Sequence, residues 1–366
     1  MDYAPLTEGS TRLLCPKDGG VSSSEEVFYN PHMALNRDLT VALCILEKPK
    51  TFLDVMAASG ARGVRVANEA GVAVTLNDLN PHAVELIREN ASLNDVEVSV
   101  SSEDARKILA SSRFDYVDLD PFGPPVEYAD AAVTSVRHNG VLGVCATDTS
   151  ALCGTYPSAC IRKYDSQSLK CDCYNEVGLR ILLGFIARTS MRHGLGIHPI
   201  FSHSTRHYMR AQVRITRAHK QTQSQLGYMQ YCFSCMRRVF RKLNELETSC
   251  SCGGRLLTAG PLWVGQFADE KTCVGLHEII SSGEFARQKE ALKLIGLVSC
   301  EQAIPTPYYD LHKMCKKTIT SSPKMERFEH EITSRGFAFA RTHFCDTGLR
   351  SDMPSVDMMK LLKDIG

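Results

Sequence analysis

The amino-acid sequence predicts an α/β protein with a mostly parallel sheet, helices on both faces of that sheet, and a smaller α/β domain after it. Two observations lead to this prediction. From residue 51 onward, short apolar runs of strand length alternate with longer runs of helical periodicity. A polar segment at residues 217–224 then precedes a cysteine-rich patch and a region of mixed character. Alternation at this spacing is typical of βαβ units, which build parallel sheets covered by helices.

The elements follow one another in a regular order. Residues 33–46 have helical periodicity, and the alternation begins after them. The predicted strands cover residues 51–56, 72–76, 96–101, 114–119 and 141–146, and the helices between them cover 61–70, 82–93, 105–110 and 126–136. A helix over 174–191 and strands over 196–202 and 209–215 complete the predicted sheet. We expect the polar segment to link domains of residues 1–220 and 221–366.

Length and composition limit the classes of protein that remain. The chain has 366 residues, which is more than one core usually takes. Its 42 basic and 41 acidic side chains leave a net charge of +1, and this balance neither indicates nor excludes nucleic acid, because phosphate binding depends on local patches. No apolar run is long enough to cross a bilayer and no signal peptide is evident, so we expect an intracellular protein, in the nucleus or the cytoplasm. The odd count of fifteen cysteines favours thiols and metal ligands over disulfides.

Acidic residues follow successive predicted strands. Asp54 ends the first strand, Asp78 follows the second, and Asp104-Ala105 follows the third. Carboxylates at the carboxyl ends of parallel strands suit the ribose and base of a nucleoside. The first turn, residues 57–60, is small but lacks G-x-G-x-x-G, so S-adenosylmethionine fits better than a dinucleotide. The alternative is that these carboxylates only cap helices.

The fourth predicted strand ends in Asp120-Pro121-Phe122. This tripeptide resembles the Asp/Asn-Pro-Pro-Tyr/Phe motif of amino-group methyltransferases. A carboxylate and a proline carbonyl can accept both N–H groups of an aromatic amine and aim its lone pair at a methyl group, while the ring of Phe122 stacks on an extruded base. A simple turn after a strand is the alternative interpretation.

Several segments together resemble the tRNA guanine-N2 dimethyltransferase family, whose members make N2,N2-dimethylguanosine at position 26 of tRNA. Motifs from both halves of the chain occur in the family's order, which makes the resemblance specific. The segments are residues 7–9, 27–31, 36–38, 59–65, 118–123, 147–149, 152–157, 260–263 and 341–344.

The resemblance implies a Rossmann-like class I methyltransferase domain and assigns roles by position. It implies that Asp120, Pro121 and Phe122 are catalytic and that Phe28 and Phe122 hold the target guanine. It implies S-adenosylmethionine contacts from a set of five residues, namely Arg37, Arg62, Asp78, Asp104 and Ala105. From the residues alone, the two arginines could equally be surface salt-bridge partners.

Two close cysteine pairs, Cys232/Cys235 and Cys250/Cys252, lie fourteen residues apart. Four thiolates in two short turns form a closed tetrahedral site that suits structural zinc. The family often has C-x2-C in the second pair, so the shorter C-x-C leaves the fourth ligand open. Incidental thiols in a cysteine-rich chain are the alternative.

Basic residues recur around residues 206–220 and 237–242, and we expect them to attract tRNA phosphates. Arg162 and Lys163 are further candidates for contact with the substrate backbone, although single surface charges are common. The expected partner is tRNA, and no protein partner is evident. The alternatives in function are an N2-guanine methyltransferase for another tRNA position, such as guanine 10, and a non-catalytic RNA-binding paralogue.

Overall fold

The fold is given by a computed structural model that describes residues 3–17 and 27–365. Its strands are β1 (Tyr3–Glu8), β2 (Thr11–Pro16), β3 (Thr51–Asp54), β4 (Ala73–Asn77), β5 (Ser99–Ser101), β6 (Phe114–Leu119), β7 (Val136–Ala146), β8 (Gly196–Thr205), β9 (Tyr208–Thr216), β10 (Leu226–Cys232), β11 (Arg238–Arg241), β12 (Leu256–Trp263), β13 (Tyr309–Asp310), β14 (Phe339–Arg341) and β15 (Gly348–Ser351). Its helices are α1 (Ala34–Glu47), α2 (Ala61–Ala70), α3 (Pro81–Ser92), α4 (Ala105–Ser111), α5 (Ala129–Ser135), α6 (Thr149–Leu152), α7 (Pro157–Tyr164), α8 (Tyr174–Arg192), α9 (His219–Ser224), α10 (Glu270–Ser282), α11 (Gln288–Glu301), α12 (Leu311–Thr318), α13 (Met325–Thr333) and α14 (Ser355–Ile365).

The central sheet has the strand order β5-β4-β3-β6-β7-β9-β8. The five strands from β5 to β7 are parallel, and β9 runs antiparallel to both β7 and β8. The predicted mostly parallel sheet is therefore confirmed. Strand order reverses between β3 and β6, and ligands of such sheets bind beyond the carboxyl ends of the strands at that point.

Helices cover both faces of the sheet. Met209 and Arg210 are neighbours in β9, so their side chains point to opposite faces. Met209 packs on Gly178 of α8, whereas Arg210 contacts Thr40 of α1. Helix α8 packs with α5, and α5 with α4, while α1 packs with α2, and α2 with α3. The two groups of helices form the two outer layers.

Three segments differ from the sequence prediction. Residues 3–16 form the hairpin β1–β2, in which Gly9 takes a left-handed φ of +57° at the turn. Strand β7 begins at Val136 rather than at 141, because buried Val136 already pairs with Phe114 of β6, before the exposed residues 137–139 and a register shift. The predicted linker contains α9, whose buried Thr222 accepts a hydrogen bond from the Ile197 N–H at 2.9 Å.

The part after residue 220 packs directly on the first part. Two small antiparallel sheets, β11-β10-β12 and β13-β15-β14, are joined by helices, and α10 and α11 pack against α1. One hydrophobic core runs from Leu13 to Leu362, so the division at residue 220 remains a prediction from the sequence. Within residues 3–17 and 27–365, every helix is too short or too polar to cross a membrane.

Candidate active site

A cavity of about 350 Å³ lies at the carboxyl ends of β3, β4 and β6. Its volume falls in the range of pockets for ligands of cofactor size. The sequence-predicted residues that line it are Phe28, Arg37, Arg62, Asp78, Asp104, Ala105, Asp120, Pro121 and Phe122. The fold therefore brings together side chains that are up to about ninety positions apart in the sequence. Arg162 and Lys163 are not among the residues that line the cavity.

The turn between β3 and α2 forms one wall of the cavity. Ala58 and Gly60 have left-handed φ values of 48° and 75°, which bend the chain sharply after the strand. Asp78 holds this turn, because its carboxylate accepts a hydrogen bond from the Ala58 N–H at 2.7 Å and another from the Asn80 N–H at 2.9 Å. The turn and the end of β4 thus form one rigid wall.

Asp54 is the buried carboxylate at the end of β3. Its side chain is buried, and Oδ2 accepts no hydrogen bond within the described residues. The pKa of Asp54 is raised to about 7, chiefly by burial; Arg62 opposes the rise, and the neighbouring Asp118, Asp120 and Asp78 contribute to it. A buried carboxylate oxygen without a donor suits a cationic ligand group. The sequence placed Asp54 at the strand end but gave no sign of its burial.

Arg62 is the centre of a buried network behind the cavity. Its guanidinium contacts Asp120 directly, lies 3.3 Å from Asp118, and donates to Asn36 at 3.0 Å and Thr40 at 2.9 Å. The alternative that this arginine is only a surface salt-bridge partner does not hold, because its side chain is 7% exposed. Arg62 fixes the carboxylate of Asp120, which is 18% exposed at the cavity wall.

Arg210 completes this network from β9. It pairs with Asp118, and both side chains are fully buried. A Cβ on Gly143 would lie 2.6 Å from the Arg210 guanidinium, so glycine is needed at that position of β7. Three carboxylates, Asp54, Asp118 and Asp120, therefore face two arginines in this part of the protein.

Arg37 reaches the cavity from α1 and is held by the N-terminal hairpin. Its Nε donates to Glu8 at 2.8 Å, and its guanidinium lies 4.9 Å from the centre of the Tyr29 ring. The Tyr29 hydroxyl and Arg65 also donate to Glu8. Although burial raises the pKa of Glu8, the arginines and hydrogen bonds outweigh it and lower the pKa to about 2. Glu8 and Tyr29 were not predicted as site residues; the signal for them was that they lie in segments 7–9 and 27–31, which resemble the family.

Two aromatic rings stand beside the carboxylate turn. The rings of Phe28 and Phe122 meet edge to face with centroids 4.5 Å apart. Phe122 is 63% exposed, which is unusual for a large apolar side chain. A planar base that entered between the rings would have to part them.

Asp104 occupies the N-cap of α4. Its Oδ1 accepts a hydrogen bond from the Arg106 N–H at 2.9 Å, and the Arg106 side chain and that N–H lower the pKa of Asp104. Helix capping, which was the alternative role, is thus present, and the residue also lines the cavity together with Ala105.

Arg162 and Lys163 lie at the end of α7. Lys163 donates to Asp148 at 2.9 Å, next to Thr147, which lines the cavity, and Arg162 is exposed. This places α7 beside the cavity rather than in it, and the role of both residues in binding substrate remains a prediction.

The four cysteines of the two pairs converge. All four Sγ atoms lie within 4.8 Å of one another, with 3.5 Å between Cys232 and Cys252 and 3.6 Å between Cys235 and Cys250. Each pair sits in a tight turn that contains a left-handed residue, Met236 in the first and Gly253 in the second. Cys252, whose position as a ligand was open, lies within this set and is the exposed member of it.

Comparisons with known proteins agree over almost the whole chain. The profile of a family described as N2,N2-dimethylguanosine tRNA methyltransferase matches residues 7–363. A protein of Methanosphaera stadtmanae named tRNA (guanine(26)-N(2))-dimethyltransferase is 36% identical, over 100% of this chain and 98% of its own length. A protein of the same name from Methanothermobacter thermautotrophicus is 38% identical over 95% of each chain.

A solved structure gives the same result for the fold. It is the complex of Trm1 from Pyrococcus horikoshii with S-adenosyl-L-methionine, which is 33% identical and has a TM-score of 0.88. The match covers 98% of this chain and 99% of the solved one. The chain therefore belongs to the N2,N2-dimethylguanosine tRNA methyltransferase family.

Proposed function

We propose that this protein transfers methyl groups from S-adenosylmethionine to the exocyclic N2 of guanine 26 in tRNA, and that it adds two methyl groups. The observation that carries the proposal is the cavity in which Asp54, Asp120 and the Phe28–Phe122 pair lie together. Membership of the family and the names of the relatives support the substrate and the position.

Asp120 receives and orients the amino group in this proposal. Arg62 occupies one side of its carboxylate, and the partly exposed remainder lines the cavity. An ionised carboxylate can accept an N–H of the guanine N2 amine, and the carbonyl of Pro121 can accept the other. The amine is then held with its lone pair directed away from both acceptors, toward the interior of the cavity. Positioning of this kind supplies a large part of the rate of a two-substrate reaction.

Phe28 and Phe122 hold the base itself. The target guanine must leave its place in the folded tRNA, and aromatic side chains stabilise extruded bases by stacking. The exposed ring of Phe122 is available for that contact, and Phe28 backs it at 4.5 Å. Opening of this ring pair is therefore part of substrate binding.

The cofactor would be held by other residues that line the cavity. When bound, S-adenosylmethionine supplies an electrophilic methyl group on a sulfonium. Asp78 and Asp104 would contact its ribose and adenine, and Ala105 the flat face of the base; the fact that all three residues line the cavity supports this assignment. Arg37 suits its carboxylate, and the unpartnered oxygen of Asp54 suits its ammonium group.

The test is mass spectrometry of nucleosides from unmodified tRNA after incubation with protein and labelled S-adenosylmethionine. We expect N2,N2-dimethylguanosine from wild-type tRNA and none from a transcript in which guanine 26 is replaced by adenine. Methylation that persists in that transcript and disappears when guanine 10 is replaced would favour the alternative position. Binding of tRNA without any methylation would favour a non-catalytic paralogue.

The second half of the chain has two proposed roles, namely zinc binding and tRNA binding. Tetrahedral ligation by four thiolates at about 2.3 Å places the sulfurs about 3.8 Å apart. The separations of 3.5 and 3.6 Å found here fit zinc held by Cys232, Cys235, Cys250 and Cys252. The basic side chains of residues 206–220 and 237–242 would supply attraction to phosphates, although Arg210, Arg214 and Arg238 form ion pairs within the protein.

A further inference from the structure

Outside the four-cysteine cluster, a second group of potential metal ligands lies between α7 and α8. The side chains of Cys171, Asp172 and Cys173 place two sulfurs and a carboxylate oxygen within 4.8 Å of one another. The two Sγ atoms are 3.3 Å apart, and all three residues are buried, with exposures of 4%, 5% and 0%. Burial of a carboxylate costs free energy unless it is paired, hydrogen-bonded or bound to a metal.

Asp172 adds an independent sign of a ligand. Its Oδ2 accepts hydrogen bonds from Arg238 at 2.9 Å and from the Asp310 N–H at 3.3 Å. Its Oδ1 is also buried but accepts no hydrogen bond within the described residues. A buried carboxylate oxygen that lacks a donor costs free energy, and a cation bound there removes that cost.

We propose that Cys171, Asp172 and Cys173 form a second metal site that binds a divalent thiophilic ion of the zinc class. Two thiolates select soft or borderline metals over magnesium or calcium. The thioether of Met229, whose sulfur is 4.0 Å from that of Cys173, offers a weak fourth ligand. This site is separate from the four-cysteine cluster in its ligands, and it does not depend on the proposed function.

The charge balance favours a divalent ion over a monovalent one. Two thiolates and the Asp172 carboxylate carry three negative charges, and Arg238, which is buried against Asp172, carries one positive charge. A divalent ion makes the buried group neutral, whereas Cu(I) would leave one negative charge in the core. Binding releases two thiol protons to solvent, since only thiolates are ligands. Without the ion, the two protonated thiols and the Asp172–Arg238 pair are also neutral, so the site can fill after folding.

The proposed site lies where parts that are distant in sequence meet. Cys173 is the N-cap residue of α8, and Asp172 bonds to β11 through Arg238 and to β13 through Asp310. The proposed site therefore lies at the contact between the start of α8 and the second half of the chain.

The test is the zinc content per chain of purified full-length protein, measured by inductively coupled plasma mass spectrometry after growth with zinc and dialysis. If both cysteine sites bind, wild-type protein carries two ions, and C171S/C173S carries one fewer than wild type. Cys160→Ser, which changes another fully buried thiol, should retain the wild-type content and is the matched control. A zinc content in C171S/C173S equal to that of wild type would overturn the proposal.

Two further measurements keep the proposal testable if C171S/C173S does not fold. Asp172→Asn keeps both thiols and the side-chain volume, and it should also lose close to one ion. Cobalt added to metal-free Cys235→Ser protein, in which residues 171–173 are intact, should give a thiolate-to-cobalt charge-transfer band at one equivalent. A wild-type protein without bound metal, a single wild-type ion that C171S/C173S retains, or folded Cys235→Ser protein without such a band would contradict the second site.

Discussion

At the scale of single residues, the cavity is defined by an excess of buried carboxylates. Asp118 and Asp120 are matched by Arg210 and Arg62, whereas one oxygen of Asp54 has no hydrogen-bond partner in the part of the chain that the structure describes. The motif residues around Asp120 were evident in the sequence because residue type and spacing carry their chemistry. The state of Asp54 was not evident, since burial and the absence of a donor depend on side chains from distant parts of the chain.

The state of Asp54 predicts a pH dependence of cofactor binding. Because the pKa of Asp54 is raised to about 7, its carboxyl group is neutral below that pH and ionised above it. A cationic ligand group binds the ionised form, so affinity for S-adenosylmethionine should increase as pH rises through about 7 and then level off. Isothermal titration calorimetry at several pH values measures this change.

The comparison variant for that experiment is Asp54→Asn. It should bind S-adenosylmethionine weakly, with an affinity that does not change near pH 7. Asp95→Asn, which alters an exposed carboxylate, should show the same pH dependence of affinity as wild type. If the affinity of Asp54→Asn for S-adenosylmethionine changed with pH in the same way as that of wild type, a group other than Asp54 would cause the pH dependence.

At the scale of elements, the sequence predicted the helices and strands of the parallel sheet well and the rest poorly. The elements from β3 to β9 have clear apolar periods, because each strand is buried and each helix covers a face. Hairpin β1–β2 was not predicted, since it is stabilised by side chains of other elements, such as Asn90, which bonds to both backbone groups of Leu14. The small sheets of the second half were not predicted either, because their strands include pairs that are distant in sequence, such as β13 with β15.

We propose that a bound metal ion stabilises the two turns that carry Cys232/Cys235 and Cys250/Cys252. Cys235→Ser should lose the zinc ion of the four-cysteine cluster and several kcal/mol of unfolding free energy, since binding of a structural metal contributes directly to folding. The rate of methyl transfer by the protein that stays folded should change little. Metal analysis and thermal unfolding measure the first two effects.

The control for this experiment is Cys300→Ser, which changes an exposed thiol on α11. It should keep the wild-type zinc content and stability. If Cys235→Ser retained the full zinc content of wild type, the four-cysteine site would be wrong.

At the scale of the whole molecule, buried ion pairs connect the first and second halves of the chain. Glu301 of α11 bonds to Arg350 and His343, and Arg350 also lies 2.9 Å from Glu176 of α8. Although burial raises the pKa of Glu301, His343 and Arg350 outweigh it and lower the pKa to about 2. The pKa of Glu8, in the N-terminal hairpin, is lowered to about 2 as well.

These two carboxylates predict sensitivity to acid. Each has a folded-state pKa of about 2 against an ordinary 4.5, so each stabilises the fold above pH 4.5 and loses that contribution as pH falls through about 2. Denaturant unfolding at a series of pH values should show the free energy decreasing by a few kcal/mol over this window.

The variant Glu8→Gln/Glu301→Gln isolates the contribution of the two groups. It should be less stable at neutral pH and should lose much less stability on acidification than wild type. Glu97→Gln, at an exposed position, is the control. An acid profile of the double variant that matches wild type would mean that other groups govern acid unfolding.

The carboxylate of Asp120 is central to the proposed methyl transfer. Its most direct test is the single-turnover rate of N2,N2-dimethylguanosine formation by Asp120→Asn, measured with saturating S-adenosylmethionine and unmodified tRNA. We predict a rate lower by about 100-fold or more, with tRNA affinity close to wild type and with Glu127→Gln unaffected. A wild-type rate in Asp120→Asn would contradict the assignment of the cavity as the active site.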